Sequence, residues 1–357
     1  CLELWRKGVK CRVCIVPVPD DWYAAEWKGL DDLRNIARLA NLRAAALHKQ
    51  GKDGQALEEC LRVIRCGHLV QNARGNTMVY IVGASVRASG AHTWRQLLPD
   101  LDLSAARLRE FARKLEPYER NAEALKTAYR VEYHAAVQSL RKTYLKAGEP
   151  AERPPDGTET PSSVGVGTAR FMYKHNQTKR MLADAFRTLI RNVPRTHTEA
   201  DFSSLPNKPT MNGPWDIAAF MLSGNAMGRM HVSLLLMPQK DWHVTKCRNR
   251  LEMRATRVLT VLEAYRRKQG RLPDSLQELV PEYLDAVPTD PFDGQPLRYS
   301  REKAMVYSVA KDLQDSGGHG VESRGRTGRP GVSAGPDEVT YPFPARTAHP
   351  LSRRAPD

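Results

Sequence analysis

Two cysteines near the start of the chain have a spacing that redox and metal sites use. Cys11 and Cys14 form a CxxC motif. A zinc site needs a second pair of cysteines or histidines at a set distance, and a thioredoxin-like site needs a preceding strand and a helix that opens at the pair. The sequence has no such second pair, and Pro17 and Pro19 follow the motif. We therefore interpret Cys11 and Cys14 as one disulfide or as two ordinary thiols.

Other motifs with catalytic chemistry are absent from the sequence. There is no HExxH, no GxxxxGK[ST] and no GxSxG, which argues against a zincin, a P-loop enzyme and a nucleophile elbow. The ten histidines are scattered, and no two lie three or four residues apart on one helix face. We expect a protein that is not an enzyme. The alternative is an enzyme with a dispersed site in the helical region, in a pocket that gathers Arg130, Tyr133 and His134.

Helical periodicity dominates the first two thirds of the chain. Apolar residues recur every three or four positions from Leu30 to Leu47, and a second stripe follows Gly54 at Leu57, Leu61 and Ile64. This predicts a helical hairpin that looks like one tetratricopeptide unit. No repeat at the ~34-residue period of such arrays follows, so we do not expect a solenoid. A further long helix is predicted from about Trp242 to Gln269.

The region after Gln269 has the signals of a small mixed module. Gly270 suits a helix C-cap, and Ser275 with Glu278 forms a capping box. Two strands are predicted at 297–300 and 305–309, and 339–343 could add one last edge strand. The fold class that we predict is mostly α, with helical hairpins and a bundle followed by a small α+β module with a short antiparallel sheet.

The same C-terminal region resembles the C-terminal domain of the major pseudopilin of type II secretion. The resemblance covers about a fifth of the chain. It also looks like the ending of a group of planctomycete-type bacterial proteins with no assigned activity, whose preceding helical region is similar to residues 30–240. Two motifs there, Asn176-x-Thr178 and Asn225-Ala226-Met227-Gly228-Arg229, match. The pseudopilin motif in this chain reads Glu263-Ala264-Tyr265-Arg266, Gly270-Arg271-Leu272-Pro273-x-Ser275-Leu276-x-x-Leu279-Val280-Pro281-x-Tyr283-Leu284-x-x-Val287-Pro288-x-Asp290-Pro291-Phe292-x-Gly294-x-Pro296-Leu297-x-Tyr299 and Tyr307-Ser308-Val309.

The resemblance implies a calcium site in the loop after the second strand. The pseudopilin loop binds calcium, an ion that takes six to eight oxygen ligands. Asp312 and Asp315 align with it loosely, and Ala310 stands where the family has glycine. Two carboxylates with backbone carbonyls can hold calcium, and a surface turn without metal is the alternative. No other cofactor is expected.

The long helix departs from the pseudopilin pattern. The pseudopilin helix spans a membrane, whereas the helix here lies in mid-chain and carries five basic residues between positions 246 and 257. It could not pack in a pilus core within a bilayer. These residues are Lys246, Arg248, Arg250, Arg254 and Arg257.

The sequence divides into six predicted regions. An irregular N-terminal segment, a helical domain and a linker come first, and a second helical segment, the pseudopilin-like module and a Gly/Arg/Pro-rich tail follow. Their ranges are 1–28, 29–146, 147–167, 168–240, 241–318 and 319–357.

The net charge of +15 is spread along the chain. No successive block of about fifty residues exceeds +3, and 251–300 is the only negative block. Nucleic-acid binders usually concentrate their basic residues on one helix or arm. Binding of nucleic acid or another anionic polymer through a diffuse basic surface is therefore our second functional alternative.

These observations favour a non-enzymatic component of the bacterial cell envelope. We expect an assembly or scaffold role on the periplasmic side, with a protein partner or self-association, and no small-molecule substrate is identified. No apolar run reaches the ~20 residues of a membrane helix, so a signal or anchor would lie upstream of residue 1. The chain begins at Cys1, which a lipoprotein would lipidate; a truncated start is the alternative.

Overall fold

The fold is mostly helical, with one small sheet near the C-terminus, as the sequence predicts. The structure is a computed structural model that describes residues 2–15, 29–145, 172–206, 212–237, 239–318, 321–322 and 339–343. The predicted linker at 147–167, most of the tail, residues 16–28 and Cys1 lie outside the described residues. No helix among the described residues is both long and apolar enough to cross a bilayer.

The first four helices form the N-terminal layer. They are α1 (Leu2–Val9), α2 (Leu30–Lys49), α3 (Asp53–Gln71) and α4 (Thr77–Leu97). The predicted hairpin is formed by α2 and α3, which meet at a turn where Gly51 has a φ of 70°. Helices α3 and α4 approach closely, because a Cβ added to Gly67 would lie 2.5 Å from the carbonyl oxygen of Gly83. This glycine pair lets the two backbones touch.

Helix α1 corrects the prediction that the segment 1–28 is irregular. Leu2–Val9 is helical, and it buries Trp5 and Val9 where it packs against α2 and α3. Trp5 Nε1 donates to Cys66 Sγ at 3.3 Å. Three apolar residues, at positions 2, 5 and 9, are too few to predict a helix from their spacing. The helix is therefore seen only in the structure, where it packs against α3.

The middle of the chain forms a second group of helices. These are α5 (Ala105–Leu115), α6 (Ala122–Leu145), α7 (His175–Asn192), α8 (Pro214–Leu222) and α9 (Ala226–Leu236). Helices α6, α7 and α9 share one apolar cluster that includes Tyr129, Phe186 and Val232. Ser104 accepts a hydrogen bond from the amide of Arg107 and so caps the N-terminal end of α5.

Helix α10 (Gln239–Gln269) runs through the largest core cluster. It packs against α4 and α5 on one side and against the C-terminal sheet on the other. The Trp94 indole of α4 illustrates this packing, because it donates to Thr260 Oγ1 of α10 at 2.9 Å and meets the Phe111 ring of α5 edge-on at 5.6 Å. The module predicted to begin at 241 therefore shares its core with the N-terminal helices.

The sheet has the order β1-β2-β4-β3 and consists of β1 (Arg298–Ser300), β2 (Met305–Ser308), β3 (Val321–Glu322) and β4 (Val339–Pro342). β1 and β4 both pair antiparallel to β2, while β3 pairs parallel to β4. A strand at 339–343 was predicted at the edge, and this position was wrong: β4 lies between β2 and β3. β4 pairs with β3 through Val339 and Thr340 as well as with β2, so it has a neighbour on both sides.

The predicted boundary signals around the module are confirmed. α10 ends at Gln269, and Gly270 follows with a φ of 72°. Ser275 and Glu278 form the capping box of a short 3-10 helix, Leu276–Leu279.

Candidate functional site

The two predicted calcium ligands lie on one loop, but each has a protein partner. Asp312 Oδ1 accepts the amide of Gln314 at 3.2 Å, and Asp315 Oδ1 accepts the amide of Gly317 at 3.0 Å. Asp315 Oδ2 also receives Arg298 Nε at 3.3 Å. The Gly317 amide and the arginine lower the pKa of Asp315. Calcium binding at Asp312 and Asp315 stays a prediction from the resemblance.

Arg298 lies among three carboxylates. Its Nη2 contacts Asp293 at 2.6 Å, its Nη1 contacts Asp290 at 3.3 Å, and its Nε contacts Asp315. The Asp290 side chain is fully buried, and burial raises its pKa. The guanidinium therefore supplies a positive charge beside a buried carboxyl group. Among the described residues, no group of three or more histidine, cysteine, aspartate or glutamate residues is arranged to hold a metal ion.

The cysteines of the CxxC motif are two free thiols in the structure. Cys11 is exposed, and Cys14, which is half-buried, has a pKa that burial raises. Of the two alternatives for this motif, a disulfide or two ordinary thiols, the structure has the two thiols.

Arg130, Tyr133 and His134 line one small concavity, whereas the enzyme alternative expects a deep pocket at these residues. The concavity has a volume of about 150 Å³, and Phe186, Arg187 and Ile190 complete most of the wall. The lining contains no carboxylate and no serine or cysteine nucleophile. Arg130 and His134 are exposed. This concavity is a shallow apolar patch with cationic side chains at its rim. It can contact a ligand, but its lining has no acid and base that could act as a pair.

The basic residues of α10 bind backbone carbonyls and carboxylates inside the protein. Lys246 is almost fully buried, and its Nζ donates to the carbonyls of Val193 and Arg195 at 3.0 and 2.8 Å. Burial lowers its pKa. Arg257 Nε contacts Glu119 at 2.5 Å, so this cation connects α10 to the turn before α6. These residues fix the helix in the core, while Arg248 is exposed.

The two motifs of the helical region meet in space. Asn225 adopts a left-handed conformation with a φ of 54°, and its Oδ1 accepts the Lys174 amide at 2.7 Å and the Thr178 hydroxyl at 3.0 Å. Thr178 lies inside α7, which begins at His175, and its hydroxyl also contacts the carbonyl of Lys174. The cluster fixes the corner between α8 and α9 against α7.

Arg229 extends this corner to α8. Its guanidinium lies 4.7 Å from the centre of the Phe220 ring, and it donates to Ser223 Oγ and to the carbonyl of Phe220. These contacts hold the C-terminal end of α8 and the inner side of Phe220. The rest of the helix is left outside the core.

Helix α8 buries none of its residues, although its sequence is almost entirely apolar. Four large apolar side chains are exposed: Trp215 (88%), Ile217 (45%), Met221 (39%) and Leu222 (74%). We call these four residues the α8 surface. Leu234 and Met237, at the end of α9, are also exposed. An exposed group of this kind is unusual, because soluble proteins rarely leave large apolar patches uncovered.

Sequence reasoning missed the exposed surface at 215–222. The signal is the absence of a polar face: Pro-Trp-Asp-Ile-Ala-Ala-Phe-Met-Leu has one charge, at Asp216. Such a segment is typical of a buried helix, so its exposure follows only from the structure.

No family model, curated protein or solved structure matches the chain.

Proposed function

We propose that the protein is a non-enzymatic assembly component of the bacterial cell envelope that pairs with a second copy of itself through the α8 surface. The single observation that carries the proposal is a nine-residue apolar helix whose residues are all outside the core. The pseudopilin-like module packs against α10 and does not include α8. It is then available to further subunits of the assembly.

Self-association is favoured over a membrane contact by the charge of α8. Helices that lie on membranes carry Lys and Arg on their polar face, which anionic lipids attract. α8 contains no basic residue, and its only charge is Asp216. A protein surface of matching apolar character is the better partner for such a helix.

A two-fold axis suits this helix, because most soluble oligomers are symmetric and the commonest interface pairs one patch with itself. In an antiparallel pair, Asp216 of each copy lies beside the C-terminal end of the other α8, so the two carboxylates are far apart. A parallel pair would place them together and cost stability by repulsion. We therefore expect the antiparallel arrangement, with Ala219 near the middle of the contact.

Cysteine cross-linking tests the arrangement. Ala219 is exposed near the middle of α8, so Ala219→Cys, in a background with Cys1→Ser, Cys11→Ser and Cys14→Ser, should form an intermolecular disulfide on mild oxidation. The matched control is Ala106→Cys in the same background, at an exposed position of α5. Cross-linking of both variants to the same extent, or of neither, contradicts the α8 pairing.

Cell fractionation tests the location. In the native bacterium we expect the protein in the envelope fractions. Recovery of the whole protein with cytosolic markers contradicts an envelope role and leaves the α8 pairing to be judged by cross-linking alone.

A further inference from the structure

A basic cleft lies between the N-terminal helices, away from the α8 surface. It has a volume of about 460 Å³ and is walled by α1, α2, α3 and the start of α5. Small-molecule sites typically have volumes of about 300–1,000 Å³. Five cationic side chains and two carboxylates line it: Arg6, Lys10, Arg43, Arg62, Arg107, Glu58 and Glu59.

Glu59 organises the floor of the cleft. Its side chain is fully buried and accepts Arg6 Nη2 at 3.0 and 3.2 Å, while Arg62 binds the same carboxylate from the next turn of α3. One buried carboxylate therefore holds two guanidinium groups in fixed positions. The two guanidinium groups and the Glu59 carboxylate together carry one net positive charge. Arg6 Nε is buried and has no hydrogen-bond partner among the described groups.

The second carboxylate does not neutralise the remaining cations. Glu58 is bound by Lys114 at 2.7 Å, which lies outside the lining of the cleft. Lys10 and Arg43 are exposed at the rim and form no ion pair with any residue that the structure describes. Arg107 is bound to Glu110 at the surface. The cleft thus has an uncompensated positive charge over two fixed guanidinium groups.

We propose that this cleft binds a small phosphorylated ligand, with the phosphate oxygens between Arg6, Arg62 and Arg43. Arginine suits this role, since its planar fork donates two parallel hydrogen bonds to phosphate. A long polyanion fits less well, because the cleft is one local concavity of about 460 Å³ and not a groove that follows a strand of phosphates. This site is separate from the α8 surface, and its failure would leave the proposed self-association untouched.

Calorimetric titration with inorganic pyrophosphate tests the proposal. We expect saturable binding of one pyrophosphate per chain, and Arg43→Glu should weaken it at least about tenfold. Because Arg43→Glu changes an exposed side chain, the fold should be retained. Lys10→Glu changes a second cation at the rim of the cleft and should weaken binding in the same direction. The matched control is Arg141→Glu, which makes the same charge change at an exposed position of α6.

The outcomes separate specific binding from general attraction. Equal weakening by Arg43→Glu and Arg141→Glu would show that only the net charge matters and would overturn the site. The absence of pyrophosphate binding would also overturn it. A short single-stranded DNA that binds more tightly than pyrophosphate, at several molecules per chain, would favour the diffuse basic surface in its place.

Discussion

The Asn225 amide oxygen lies 3.0 Å from the Thr178 hydroxyl oxygen, and this hydrogen bond joins segments 47 residues apart. The bond is buried and fixes the corner from which α8 extends. Asn225 also accepts the amide of Lys174, so α7 and the turn before α9 are held at one point. The position of the α8 surface therefore depends on a small polar cluster behind it.

Removal of the Thr178 hydroxyl should lower the stability of the protein. Thr178→Val keeps the shape of the side chain and loses the bonds to Asn225 and to Lys174, so we expect a loss of about 1–2 kcal/mol in the free energy of unfolding. Urea denaturation measures it. Thr245→Val is the matched control, because Thr245 makes only the bond to the carbonyl four residues earlier, at 3.1 Å. Equal losses in both variants would mean that the bond to Asn225 contributes nothing.

Gly228 should not tolerate a side chain. A Cβ at this position would overlap Thr178 Oγ1 and Asn225 Oδ1, and we expect Gly228→Ala to destabilise the protein by about 2 kcal/mol. Gly54→Ala on α3 is the control: its Cβ would meet nothing within 4 Å, so the higher helix propensity of alanine should give up to about 1 kcal/mol of stabilisation. Thermal denaturation of the two variants gives the comparison. A neutral Gly228→Ala would contradict the close packing at this corner.

Much of the fold could be predicted because its signals are local. The end of α10 at Gly270, the capping box at Ser275 and both strands of the hairpin follow from neighbouring residues. The site could not be predicted in the same way. The contact between Thr178 and Asn225 depends on how α7 and α9 pack, and Trp215 is exposed because none of the described elements covers α8. The place of β4 inside the sheet likewise follows from pairing with distant β2.

Loss of Arg298 should lower the stability of the protein more than loss of an exposed arginine in the turn after β1. Arg298→Gln leaves Asp290 buried with its charge uncompensated, and we expect a loss of about 3 kcal/mol at neutral pH. Arg301→Gln is the control, since Arg301 and its partner Asp274 are both more than half exposed and such pairs contribute less than about 1 kcal/mol. Chemical denaturation at neutral pH measures both.

Calcium gives a second measurement at the same place. Because the guanidinium already binds Asp315, we expect millimolar calcium to raise the melting temperature of Arg298→Gln more than that of the unaltered protein. If calcium stabilises the unaltered protein as strongly, the ion occupies the loop of Asp312 and Asp315 without displacing Arg298, and the competition that we expect is wrong.

His243 should make the protein less stable in acid. Burial, with Lys246 and His197 nearby, lowers its pKa to about 3. The unfolded chain, with a histidine pKa of about 6.5, then binds a proton that the folded chain does not, and stability falls as the pH drops from about 6.5 to about 3. His243→Gln should reduce this slope by as much as about 1.4 kcal/mol per pH unit. Urea denaturation across this range checks it, with His134→Gln at an exposed position as control; equal slopes in the two variants would contradict the assignment.

The mass of the protein in solution tests the α8 pairing most directly. Sedimentation equilibrium of the full chain should give twice the mass of one chain, with a concentration dependence typical of a reversible dimer. Leu222→Ser should give the single mass, whereas Leu42→Ser, at a comparably exposed leucine of α2 (67% against 74%), should stay dimeric. A single mass for the unaltered protein at every concentration, or an equal effect of the two substitutions, would contradict the proposed assembly.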